Sequence, residues 1–351
     1  MPSYSLKHIT RYTYASEVID CANQLMLYPL QDERLKVTRH EVCVSHDSHH
    51  RQPPPIATYT DCFGNTVGVF TLLQPHTVMV IESDAELTTS PILFPMDEEP
   101  ADKQWDDLRS RQHDPSIIDF LVQEDFPSLP ELRATLTQLL NKNEKPLKNA
   151  LVLSEYVHAH FEYKPGATNV ETPAEEIWKL KAGVCQDFAH ILLVMLREAG
   201  IPARYVSGYV CPQKEEVRGT GATHAWVEAY IPFYGWLGLD PTNNCIVNDG
   251  HIRMAIGRNF HDCTPVKGTY KGLGTHKLGV SVHIENTEAE APQAPTIALA
   301  PLYAVPDPES PVNSYHRHRE LQHEQQRQHL QQQQQQQLVL HQEQQQQQQQ
   351  Q

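Results

Sequence analysis

The stretch from Lys181 to Pro202, KAGVCQDFAHILLVMLREAGIP, constrains the fold more than any other. Phe188, Ile191, Leu192, Met195, Leu196 and Ala199 recur at three and four spacing, so one face of a helix is apolar, and Gly200 and Pro202 end it. A helix of this length gains its stability from packing, so the flanking sequence must supply a surface to bury it. The residues after Pro202 are strand-like: ARYVSGYV, then a charged loop containing KEEVRGTG, then HAWVEAYI, the turn-like PFYG and WLGLD closed by Pro241. The expected unit is a helix packed on an antiparallel sheet.

The start of that helix carries the chemistry. Cys185 stands at its N-terminus, where unpaired N–H groups and the helix dipole favour a thiolate over a thiol. An isolated cysteine is more often a small core residue. Here Gly183 permits close backbone approach, and polar Gln186 and Asp187 keep the position partly open. In HAWVEAYI, alternation places His224, Trp226, Glu228 and Tyr230 on one face and Ala225, Val227, Ala229 and Ile231 on the other. A hairpin turning at Pro232 to Gly235 makes His224 and Asp240 symmetric about position 232, so they are expected as close cross-strand neighbours. A carboxylate bonded to an imidazole fixes its tautomer and supports its protonated form, completing the nucleophile, base and orienter set Cys185, His224 and Asp240.

From Tyr4 to about Thr88 short alternating runs rich in Thr, Val, Tyr and Ile, such as KVTRHEVCVS and TVMVIESDAEL, predict an antiparallel β domain. DCFGN, from Asp61 to Asn65, supplies turn residues and reads as a hairpin. Helical spacing recurs over 116–124, 129–140 and 148–163, where the last run ends in an extended FEY. Trp178 and Tyr163, upstream of the cysteine, are assigned to the core. From Leu321 glutamine dominates, and such polar sequence cannot bury enough apolar surface to offset chain entropy. The expected organisation is an N-terminal β domain over 1–90, a linker and helical segment over 91–147, a core over 148–285 and a disordered Pro/Gln-rich tail over 286–351.

Composition narrows the partners. With 28 Lys+Arg against 43 Asp+Glu, the formal charge is -15 and the acids are dispersed, which argues against nucleic acid or an anionic membrane. Cys21, Cys43, Cys62, Cys185, Cys211, Cys245 and Cys263 show neither zinc-knuckle spacing nor a dense disulfide framework. The odd, scattered set, a polar first segment and the lack of any long apolar run lead us to expect a cytoplasmic, reducing setting. Histidines in SHDSHHRQ and YHRHRE lack a carboxylate and cysteine framework and are expected to be solvated; no metal and no cofactor is expected.

GVCQDFAH, GIPARYVSGYV, THAWVEAYIP and GWLGLDPTNN together resemble the bacterial transglutaminase-like family, described as predicted cysteine proteases, and HITRYTY with DCFGN is similar to the β domain those proteins carry ahead of the core. The resemblance covers roughly Tyr4 to Glu285. It implies an α+β fold with a papain/transglutaminase-like core, and Cys185 as nucleophile, His224 as base and Asp240 as orienter. HIRMAIGRNFHD is similar to a family segment that reads GRDY, from which Asn259 and Phe260 depart. No catalytic role is assigned there, and Arg258 with Asp262 is read as a structural pair. The expected activity is acyl transfer on an amide of a peptide or protein through a Cys185 thioester, resolved by water. Transfer to an amine is the alternative, and a non-catalytic binding or scaffold module is a second one.

Overall fold

Strand β1, Ser3–Leu25, is 23 residues long and would span about 75 Å if straight. It bends instead. Its pairing is irregular between Thr13 and Val18 and again between Ile19 and Ala22, and Asp20 takes a left-handed φ of 51°. The computed structural model describes residues 2–48, 52–211 and 223–287. The first half of β1 lies between β5 (His76–Thr89) and β14 (His276–Asn286), with β2 (Leu35–His46) outside β5. Its second half lies between β4 (Thr66–Leu72) and β13 (Val266–Lys271), with β3 (Ala57–Thr60) outside β4. The bend folds the sheet over Val18, Leu25, Phe70, Leu72, Met79 and Ile81. Residues 266–285, grouped by sequence with the core, and Asn286, assigned by sequence to the tail, thus complete the N-terminal sheet.

Between β5 and the core lie α1 (Ala101–Ser110), α2 (Leu129–Leu139) and α3 (Pro146–His160). The last two match the periodic runs, whereas 116–124 forms only a 3-10 turn at Ile118–Leu121, where Asp114 caps Ser116. Helix α1 was not anticipated, because its charged surface hides the two apolar anchors, Trp105 and Leu108. The expected extended segment after α3 is β6 (Glu162–Tyr163), which pairs in parallel with β7 (Ala182–Gly183) after α4 (Ala174–Leu180).

The cysteine-bearing helix is α5, Cys185–Glu198. It packs on an antiparallel sheet ordered β11-β10-β9-β8-β12, formed by β8 (Ala203–Val210), β9 (His224–Ile231), β10 (Gly235–Asp240), β11 (Cys245–Ile246) and β12 (His251–Gly257). The two faces of β9 separate as alternation predicts. Ala225, Val227, Ala229 and Ile231 join the core under α5, while Trp226 packs with Val206, Val247 and Ile256 against Leu30, Phe63 and Ile92 from outside the sheet. A further apolar cluster joins Tyr209, Ile252 and Met254 to Tyr4, Leu6 and Leu87. The β domain therefore covers the face that the helices leave open.

Polar groups fix this seam. Glu228, 2% exposed, takes Arg204 Nε at 2.8 Å and Arg253 at 3.0 Å, and Arg253 also pairs with Asp32 of the β domain. A buried carboxylate needs such partners to offset its desolvation. In DCFGN, Asp61 Oδ1 accepts the N–H groups of Phe63 and Asn65, which shapes the turn. The buried Asn65 side chain then donates to Ile256 O at 2.7 Å and accepts from Ile256 N at 2.8 Å. The motif is thus a clamp on β12 as well as a turn. Asn65→Ala leaves both backbone groups of Ile256 buried and unpaired, and urea unfolding should show a loss of about 3 kcal/mol. A loss under about 0.5 kcal/mol, the size of an ordinary surface substitution, contradicts the clamp.

Candidate active site

Val184 precedes α5 in an extended conformation and lets the chain turn into the helix at Cys185. The turn is braced from inside the helix: buried Asp187 accepts the Val184 N–H at 2.7 Å and the Thr168 hydroxyl at 2.6 Å. Burial pushes the Asp187 carboxyl up, and these hydrogen bonds oppose it. Gly183 is required here because a Cβ at that position would collide with the Asp187 carboxylate. As the first helical residue, Cys185 has a backbone N–H with no acceptor inside the helix. Its side chain is half-buried, and Sγ lies 4.0 Å from the carbonyl oxygen of Thr223, the residue before His224.

His224 opens β9 and Asp240 closes β10, and both are buried. Their link is direct: His224 Nε2 is 2.8 Å from Asp240 Oδ2. The register differs from the expected one by two residues. Ile231 pairs with Gly235 and Val227 with Leu239, which puts Asp240 beside Trp226, with His224 on the diagonal. The difference arises at the turn, a three-residue loop in which Phe233 adopts a φ of 64° and Tyr234 N bonds Ile231 O. The imidazole is long enough to span the diagonal.

Because Nε2 faces the carboxylate, Nδ1 is the ring nitrogen open to another partner. Buried Nδ1 has no hydrogen-bond partner among the described residues, and Cys185 is close enough to raise the imidazole. Burial alone would lower the His224 pKa; the Asp240 charge and hydrogen bond, followed by Cys185, outweigh it and bring it up to about 10. Burial would likewise raise Asp240, but His224 and then His251 hold its carboxyl well below the usual carboxylate range.

Two neighbours of Asp240 escaped sequence reasoning. Asn243 donates through Nδ2 to Oδ2 at 2.7 Å, and its backbone N–H, with that of Thr242, serves Oδ1 at 3.2 and 3.0 Å. Asx-type capping by an aspartate followed by Pro-Thr-Asn was the signal that could have found it. His251, the first residue of β12, places Nε2 3.3 Å from Oδ2 and stands edge-on to Trp226 at 5.2 Å. No local pattern announces His251, since its position depends on the order of strands in the sheet.

His224, Asp240 and His251 also form a His/Asp/His set whose candidate ligand atoms lie within 4.8 Å of one another. Those atoms already bond each other through one carboxylate oxygen, so a metal would have to replace the hydrogen bonds. His46, expected to be solvated, is instead buried, bonded to Gln52 O and Ser48. His49, His50 and the YHRHRE histidines, like the KEEVRGTG loop and the glutamine-rich segment, lie outside the described residues. Trp178 is buried in the core as expected, and half-buried Tyr163 packs against it. Arg258 and Asp262 form the anticipated pair, with Nε–Oδ2 at 2.8 Å and NH2–Oδ1 at 3.1 Å.

Comparison with known proteins bears on the family and the fold. Residues 133–241 match the transglutaminase-like superfamily model, and residues 4–88 match the bacterial transglutaminase-like N-terminal region. An uncharacterised Mycobacterium leprae protein is 31% identical over 283 residues, covering 79% of this chain and 96% of that protein. The chain belongs to the transglutaminase-like superfamily. A Pseudomonas aeruginosa protein-glutamine gamma-glutamyltransferase is 35% identical over 146 residues, which is 38% of this chain and 21% of that protein. The transglutaminase-like fold is also that of a Cytophaga hutchinsonii structure titled "Putative Cysteine Protease", with TM-score 0.65, 20% identity and coverage of 83% of this chain and 92% of that one.

The raised His224 has a consequence for stability. Its folded pKa of about 10 lies above the unfolded value of 6.5, so its contribution is complete below pH 6.5 and is lost as pH rises through about 10. The melting temperature should fall across that interval, and His224→Gln should flatten the fall. An equal decline in both proteins would contradict a His224 held protonated by Asp240.

Proposed function

We propose that the chain is a cysteine-dependent acyl-transfer enzyme acting on amide bonds of a peptide or protein, with Cys185 as nucleophile, His224 as base and Asp240 as orienter. The observation that carries this reading is the 2.8 Å His224 Nε2–Asp240 bond, which leaves Nδ1 as the base beside a half-buried cysteine at a helix N-terminus. His224 holds the Cys185 proton in a thiolate–imidazolium pair, the state its raised pKa favours, and the thiolate attacks the carbonyl carbon. The resulting oxyanion is met by the free Cys185 N–H. Collapse expels the amine, which leaves with the proton held by His224, and a thioester remains. Water, deprotonated by His224, then attacks the thioester; a carboxylic acid departs and Cys185 regains its proton.

Hydrolysis is the favoured second step because nothing among the described residues marks an amine-binding groove. Transfer to an amine is the other reading, and the similarity to the Pseudomonas protein-glutamine gamma-glutamyltransferase supports it over the matched segment. The presence of all three residues in bonding or near-bonding positions weighs against a scaffold module. No helix among the described residues is long and apolar enough to cross a membrane. A cytoplasmic setting remains part of the proposal.

Incubation with a glutamine-containing peptide, with and without a primary amine, separates the two outcomes. We expect free acid and ammonia in both mixtures and loss of both products in Cys185→Ala. Amine incorporation outrunning acid release would overturn hydrolysis in favour of transfer. Full turnover by Cys185→Ala would overturn the acyl-enzyme itself.

A further inference from the structure

Asp240 serves two imidazoles through one oxygen, with His224 at 2.8 Å and His251 at 3.3 Å. The rings of the two histidines are 6.3 Å apart. On its far side, His251 Nδ1 faces both the Asn248 backbone N–H at 3.3 Å and the Asn248 Oδ1 at 3.1 Å. A neutral ring donates to Asp240 and accepts the Asn248 N–H, whereas a protonated ring donates to Asp240 and to Asn248 Oδ1. Both charge states are therefore satisfied without moving a side chain.

His251 also has a route for protons. It lines a narrow cleft at the seam between the sheets, together with Arg34, Ile92, Glu228, Asp249 and Arg253. It is 7% exposed, against 1% for His224 and 0% for Asp240. Of the charged groups around the cleft, Glu228 is bonded to Arg204 and Arg253, and Arg253 also to Asp32. Arg34 donates to the Tyr234 hydroxyl, and Asp249, whose backbone carbonyl accepts from Thr89, adds a carboxylate to the lining. Asp240 is the carboxylate to which His251 bonds directly.

We propose that His251 is a positioning residue whose charge state gates the nucleophile. Neutral, it steadies Asp240 for His224. Protonated through the seam, it keeps its bond to the same oxygen but adds a positive charge that draws on the Asp240 carboxylate and stands near the His224 imidazolium, which disfavours the thiolate–imidazolium pair. The gate rests on the Cys185–His224–Asp240 reading and adds regulation to it.

The test needs no substrate. The rate of Cys185 alkylation by iodoacetamide, located by peptide mass spectrometry in the full chain, is followed from pH about 4 to about 9. The acid limb of the wild-type protein should steepen to about 100-fold per pH unit, two protons, and that of His251→Gln should fall by about 10-fold per unit, one proton. His251→Phe keeps the edge contact with Trp226, should give the same one-proton limb, and carries the test if the Gln variant does not fold. A one-proton limb in the wild-type protein, or a two-proton limb in a variant, overturns the gate and leaves the triad intact. A wild-type rate with no plateau below pH about 8, rising as the free thiol does towards its pKa of about 8.5, overturns the gate and the triad together.

Discussion

A carboxylate buried without partners would be protonated or would unfold its surroundings, so the fully buried Asp240 dictates what must stand around it. It collects donors from three elements: His224 from β9, Thr242 and Asn243 from the turn after β10, and His251 from β12. That shell fixes the orientation of the imidazole, with Nε2 on the carboxylate and no partner for Nδ1 among the described residues. The thiol is positioned independently, by the Val184–Asp187 bond at the start of its helix and by the room that Gly183 leaves for the Asp187 carboxylate. Helix start and hairpin end are thus separate devices, and the shared core under α5 brings them to the same place.

The same constraint explains the β domain. A sheet with helices on one face has a second face to cover, and here that face carries His224, Trp226 and the buried Glu228. Leu30, Phe63 and Ile92 supply apolar cover, Asp32 adds an acid to the Glu228–Arg253 pair, and Asn65 fixes the backbone of β12. Because β12 begins with His251, that clamp and the Asp240 shell act on the same strand. The β domain is structural support for the site as well as a neighbour of it.

Much of this was legible in the sequence because the governing patterns are local. The periodicity of α5, the alternation of β9 and the short hairpin bring Cys185, His224 and Asp240 together on sequence grounds, and the family motifs agree. The hairpin register was not legible, since it turned on Phe233 accepting a left-handed backbone in a three-residue loop. His251 was hidden because strand order is set by packing between distant segments. The return of β13 and β14 to β1 was hidden for the same reason: alternating strands look alike whichever sheet they join.

The account stands on a covalent step at one sulfur, and intact-protein and peptide mass spectrometry after exposure to a glutamine-containing peptide library reads that step directly. It predicts an acyl adduct on the Cys185 peptide of the wild-type protein, released over time as free acid, and no adduct in His224→Gln. Ammonia release without any adduct on Cys185, or an adduct on another of the cysteines, would contradict it.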